Sequence, residues 1–109
     1  VNEHMLLETV VCSARTGREK RLKRLLETRR SFRLRCEGCS AAWLAESTDG
    51  SNTFLVQAVF ENEQVWRSIS DQISAELDAR DGGIETCLAG PPLVGMFEIG
   101  DVSELLSPE

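Results

Sequence analysis

Few residues of this 109-residue chain have types and settings suited to chemistry. Glu8 lies inside the apolar run "MLLETVVCS" and is the one carboxylate to nominate as a general base. A carboxylate withdrawn from water holds its proton more tightly, which suits it to taking a proton from a phenol. The plain alternative is a Glu at the surface or at an interface. Cys36-Glu37-Gly38-Cys39 forms a CxxC. Zinc sites ordinarily use four ligands, and only Cys12, Cys87 and His4 remain to complete one. A redox CxxC usually opens a helix, whose dipole lowers the thiol pKa, whereas this one closes a helix, so a structural role is simpler. Trp66 falls on or beside an apolar helical stripe. Core packing accounts for it; a pocket shared with Phe60 and Ile69 would instead let an aromatic ligand stack. Asn62 can donate to a substrate oxygen, although a helix-capping role already explains it. No nucleophile–base pair or phosphate loop stands out.

The elements that must hold these residues follow from periodicity. Met5 to Ser13 reads as a strand, "RTGREK" as a turn, and Glu19 to about Leu34 as a helix with Leu22, Leu25, Leu26 and Phe32 near one stripe. Arg and Lys take its other positions. Gly38 ends that helix, and "SAAWLAES" is the second strand. Asp49-Gly50 signals a hairpin leading into "NTFLVQAVF". A second helix starts at an Asn62 cap, with Val65, Ile69, Ile73 and Leu77 recurring every four residues and Gly82-Gly83 closing it. "IETCLAG" suggests a short helical turn, and "PPLVGMFEIG" is the last strand, with its prolines at the start. The order strand–helix–strand–strand–helix–strand predicts an α+β, ferredoxin-like split βαβ domain: a four-stranded antiparallel sheet with two helices on one face. One domain over residues 1–109 is expected, with a core of about 5–100 and a tail at 101–109.

The third strand is apolar on both faces. A four-residue loop, Asp49 to Asn52, sets Trp43 opposite Ala58 and puts Trp43 on one face with Phe54, Val56, Ala58 and Phe60. That face is expected to meet the helices. Leu44, Leu55 and Val59 would then line the back of the sheet, each forfeiting about 1.5–3 kcal/mol if left in water. A bare antiparallel face should alternate more sharply. A second copy of the chain, sheet against sheet, is the expected cover.

Composition narrows the function classes. The net charge is -6, yet ten of the twelve basic residues lie between Arg15 and Arg35. A solvated helix face explains them, and net acidity opposes approach to nucleic acid. An RNA-binding domain of this topology would carry a Lys/Arg-Gly-Phe-type strand, which "NTFLVQAVF" lacks. No run of about 18 apolar residues predicts a membrane span. The polar breaks in "VNEHMLLETVVCSA" do not suit a signal peptide, so a cytoplasmic location is expected.

The stretch from "GREKRLKRLLETRRSFRLRCEGCSAAWLAES" through "NTFLVQAVFENEQVW", followed by "LAGPPLVGMFEI", resembles the antibiotic biosynthesis monooxygenase (ABM) domain. The resemblance spans about Met5 to Gly100 and implies a dimeric α+β barrel whose pocket lies between helices and sheet. It implies oxygenase or quinol oxidase chemistry on an aromatic substrate, with no cofactor. Members of the family often read Glu-x-Trp-Glu at the end of the third strand. Here "AVFE" puts Ala58 where a carboxylate is common and Phe60 in place of Trp. A helix His commonly follows, but "WRSISDQIS" has none, so no haem ligation by that route is expected. Two functions remain open: a cofactor-independent monooxygenase or quinol oxidase, and a non-catalytic ligand-binding or interaction domain on the same scaffold.

Overall fold

The computed structural model of the protein describes residues 5–100. His4 and the tail at 101–109 lie outside the described residues. Strand β1 (Met5–Ser13) is followed by helix α1 (Glu19–Arg35), strands β2 (Cys39–Glu46) and β3 (Thr53–Phe60), helix α2 (Glu63–Gln72) and strand β4 (Leu93–Ile99). Beyond Gln72, α2 widens into a π-helical stretch, Ile73–Asp78, and ends in one further α turn, Ala79–Asp81. A short 3-10 turn at Glu85–Cys87 accounts for the helical character of "IETCLAG". The strands form one antiparallel sheet in the order β2-β3-β1-β4, the predicted split βαβ arrangement.

Local chemistry places the helix ends where the residue types suggest. The Asn62 side chain accepts a hydrogen bond from the Val65 N–H at 2.9 Å, satisfying a donor the first turn leaves open. Gly82 closes the far end at φ 87, in the left-handed region where a side chain would be strained.

β3 alternates sharply: Phe54, Val56, Ala58 and Phe60 are buried, while Leu55, Gln57 and Val59 are only half-buried. The buried set faces the helices. Its partners on β2 differ from the sequence expectation by one residue. Ala42 pairs with Ala58, Trp43 with Gln57 and Leu44 with Val56. Trp43 therefore lies on the back of the sheet, 41% exposed, and Leu44 faces the helices. The cause is the hairpin. The Ser47 N–H donates to Thr53 O, closing a loop one residue longer than Asp49–Asn52. Gly50 and Asn52 both take positive φ to absorb that residue, and a one-residue slip reverses every side chain of a strand.

Two clusters form the core. One gathers Leu22, Leu25 and Leu26 of α1 with Cys12, Phe54, Val56, Cys87 and Leu88. The other gathers Ala42, Ala58 and Phe60 with Ile69, Ile73 and Leu77. The helices lie over β2 and β3 and leave β4 open on the same side, where Val94 and Met96 are exposed. The back is apolar and also open: Leu93 is 74% and Phe97 54% exposed.

Candidate functional site

The site begins where α1 ends and α2 starts. Gly38 turns the chain from α1 into β2 at φ +98, and a Cβ on it would lie 2.6 Å from Val65 Cγ1. Only glycine permits that approach. The Glu61 N–H donates to Gly38 O at 2.9 Å, tying the turn to the end of β3. A bulge between Cys39 and Ala41 brings Cys39 opposite Phe60, on the helix-facing side of the sheet. Cys36, Cys39, Phe32 and Trp66 thus pack around the cluster formed by Ala58, Phe60 and Ile69.

Glu8 lies on that same face. It pairs with Ala58 on β3 and with Met96 on β4, half-buried, at the boundary between the helix-covered and the open half of the sheet. The four other candidates divide. Phe60 and Ile69 are fully buried and form the apolar backing. Asn62 is exposed, and its side-chain oxygen is committed to the helix cap. Trp66 packs against the same cluster as Phe60 and Ile69, and its indole nitrogen is buried with no hydrogen-bond partner. Burying such a donor without an acceptor costs free energy.

The CxxC closes α1, as its position predicts. Cys36 caps the helix through its N–H to Arg33 O at 3.0 Å, and both thiols are free. Burial raises the Cys39 thiol pKa, and backbone hydrogen bonding at Ala41 and the positive charge of Arg33 oppose that rise. Among the described residues, no group of three or more His, Cys, Asp and Glu side chains is placed to hold a metal ion.

Two arginines on α1 were expected on a solvated face, and the structure corrects this. Arg29 is 4% exposed. It donates to Leu25 O at 3.1 Å, to both carboxylate oxygens of Asp81 at 2.9 and 3.1 Å, and to Asp78 at 2.6 Å. Burial opposes its charge, and the two carboxylates outweigh burial, so its pKa is raised. Asp81 is held below the usual carboxylate range, first by its hydrogen bond to Arg29. Arg33 lies one turn further along, half-buried, and burial lowers its pKa despite the charge of Glu8. The signal was present in the spacing: positions 22, 25, 26, 29 and 33 continue one stripe through two charged residues.

No family model matches the sequence, and no curated protein sequence matches it. Solved structures do. A protein from Nitrosomonas europaea, named a candidate antibiotic biosynthesis monooxygenase, superposes with a TM-score of 0.77 at 14% identity, over 90% of this chain and 92% of that one. The chain has the ABM fold. SnoaB from Streptomyces nogalater, named a cofactor-independent oxygenase, gives a TM-score of 0.71 at 15% identity, over 85% of this chain and 90% of its own. A conserved protein of unknown function from Bacteroides thetaiotaomicron, described as a possible oxidoreductase, gives 0.73 at 18% identity, over 91% of this chain and 100% of its own. At such identities the ABM fold is what these likenesses establish. No described helix is long and apolar enough to cross a membrane.

Proposed function

We propose that the protein is an ABM-like, cofactor-independent oxygenase or quinol oxidase acting on an aromatic quinol. One observation carries this reading. A carboxylate, Glu8, sits on the helix-facing side of the sheet beside Met96 and Ala58, and Ala58 belongs to the apolar cluster on which Trp66 packs. Glu8 is the base that removes the phenolic proton. The resulting anion is electron-rich enough to reduce oxygen itself, so the substrate supplies the electrons and neither metal nor flavin takes part. In quinol oxidation the ring loses two electrons and two protons, and oxygen becomes hydrogen peroxide. In oxygen insertion one atom enters the ring, and the other leaves as water with the two hydrogens the substrate loses. Trp66 offers a stacking surface, backed by Phe60 and Ile69.

The working unit in this reading is a homodimer joined through the back of the sheet, where Trp43, Leu93 and Phe97 are exposed. The test is oxygen uptake with a panel of naphthoquinols and anthraquinols. Uptake above a no-protein control, diminished by Glu8→Gln, supports the assignment. Uptake that never exceeds the control across the panel rules it out.

A second reading, a non-catalytic ligand-binding or interaction domain, draws on one observation. The Asn62 side-chain oxygen already serves the helix cap. Ligand-induced thermal stabilisation without oxygen uptake would favour that reading.

A further inference from the structure

The turn that joins α1 to β2 carries two thiols, Cys36 and Cys39, which the proposed oxygenase reaction does not use. The Cys39 N–H donates to Cys36 O at 3.4 Å and closes a chain reversal, and Gly38 supplies the positive φ that the third position of a type II turn requires. Such a reversal holds its first and last Cα atoms within about 7 Å, and a disulfide spans about 4.4–6.8 Å. Both side chains pack on one core cluster, so they leave the turn on the same side. Both are free and half-buried, within reach of a small solute. Cys12 and Cys87 are placed differently. They are sealed in the other cluster, 3% and 0% exposed.

A CxxC that exchanges disulfides opens a helix, whose positive end favours the thiolate. This one follows the negative end of α1, which disfavours it. Thiols that leave poorly make a disulfide that is broken slowly, so this pair is suited to holding a bond rather than passing it on. The turn is also a junction. Gly38 O accepts from the Glu61 N–H at the end of β3, and Gly38 lies against Val65 in the first turn of α2.

We propose that Cys36 and Cys39 form a peroxide-responsive thiol pair, which closes to a disulfide within the chain and fixes the end of α1 to the start of β2. The oxidant is hydrogen peroxide. One thiolate attacks it, the O–O bond breaks, a sulfenic acid forms, and the departing hydroxide takes up the first thiol proton to become water. The second thiol then forms the S–S bond and releases a second water. Each sulfur gives up one electron, and the peroxide gains two. The inference stands apart from the aromatic-quinol reading and requires no other substrate.

The experiment treats the folded full chain with a few equivalents of hydrogen peroxide, then blocks remaining thiols with N-ethylmaleimide in urea. The thiol count is expected to fall from four to two. Trypsin releases one peptide, Cys36 to Arg67, that holds both residues and neither other cysteine. That peptide should escape the label and weigh two hydrogens less than its reduced form, until dithiothreitol restores it. The melting temperature of the oxidised chain should rise by at least about 4 °C, since a bond that the native turn favours stabilises the native state. Cys36→Ser and Cys39→Ser should each abolish the rise. A peptide that still takes two labels, a bond to Cys12 or Cys87, or a link between chains overturns the proposal. So does a disulfide that leaves the melting temperature unchanged or lowers it, or a rise that survives either substitution.

Discussion

Glu8 and Arg29 show how differently two charged residues are used. Glu8 lies half-buried between the helix-covered Ala58 and the exposed Met96 and serves as the base in the proposed reading. General-base catalysis contributes about 10²–10⁴-fold, so Glu8→Gln should lower kcat in oxygen uptake by at least about 100-fold, with a melting temperature close to wild type. Arg29 is structural. Its charge is sealed in and must be balanced, so Asp81→Asn should lower stability by about 1–3 kcal/mol in urea unfolding near pH 7, discounted for the partial exposure of Asp81. The pH dependence has a definite sign. The folded pKa of Asp81 is depressed below 3.8, so its contribution is present above the unfolded value. That contribution is lost as pH falls through the lower folded value. Wild-type stability should therefore decline below about pH 4 more steeply than that of Asp81→Asn. Arg29 was not recognised from the sequence, because charge on an exposed-looking helix is the commoner arrangement and its partners, Asp78 and Asp81, are remote in the chain.

At the scale of elements, the turn between α1 and β2 governs how the two helices meet over the sheet. Gly38→Ala combines a backbone strained at φ +98 with a clash against Val65, which belongs to the first turn of α2. It should cost about 1–3 kcal/mol, read as a lower urea midpoint at unchanged slope. It should also weaken ligand binding, since Trp66 follows Val65 directly. The π-helical stretch deserves the same physical reading. It adds a residue to the turn and lets Ile73 and Leu77 reach the core while Asp78 reaches Arg29. The helices, their caps and the strand order were legible in the sequence because each is a local choice. The β2–β3 register was not, because it turned on whether one more residue joined the hairpin loop, and either loop satisfies the Asp49-Gly50 signal.

The whole molecule is a two-layer slab, 20 Å across its thinnest dimension, with helices on one side only. The corrected register changes which residues lie on its back, yet leaves that back apolar. Trp43 now stands there, its indole N–H bonded to Gln57, which in turn donates to Thr9. Phe97 lies over Gly95, where a Cβ would come within 2.8 Å of its ring. A stable interface buries about 800 Å² on each partner, a scale a four-stranded sheet face can supply. Phe97→Glu sets a charge at the centre of such a contact. Sedimentation equilibrium should show a dimer for wild type at micromolar concentration and mostly monomer for the variant. A wild-type monomer at that concentration would remove the homodimer from the proposal.

Sequence alone determined the succession of elements, the cap at Asn62, the closing glycines and the surplus of apolar surface on the sheet. These depend on neighbours within a few residues, where periodicity and turn chemistry act directly. Tertiary structure alone decided which side of β2 meets the helices, and that Arg29 finds two carboxylates while Arg33 pairs with none among the described residues. Those outcomes depend on groups dozens of residues apart, brought together by a bulge, a loop residue and a widened helical turn.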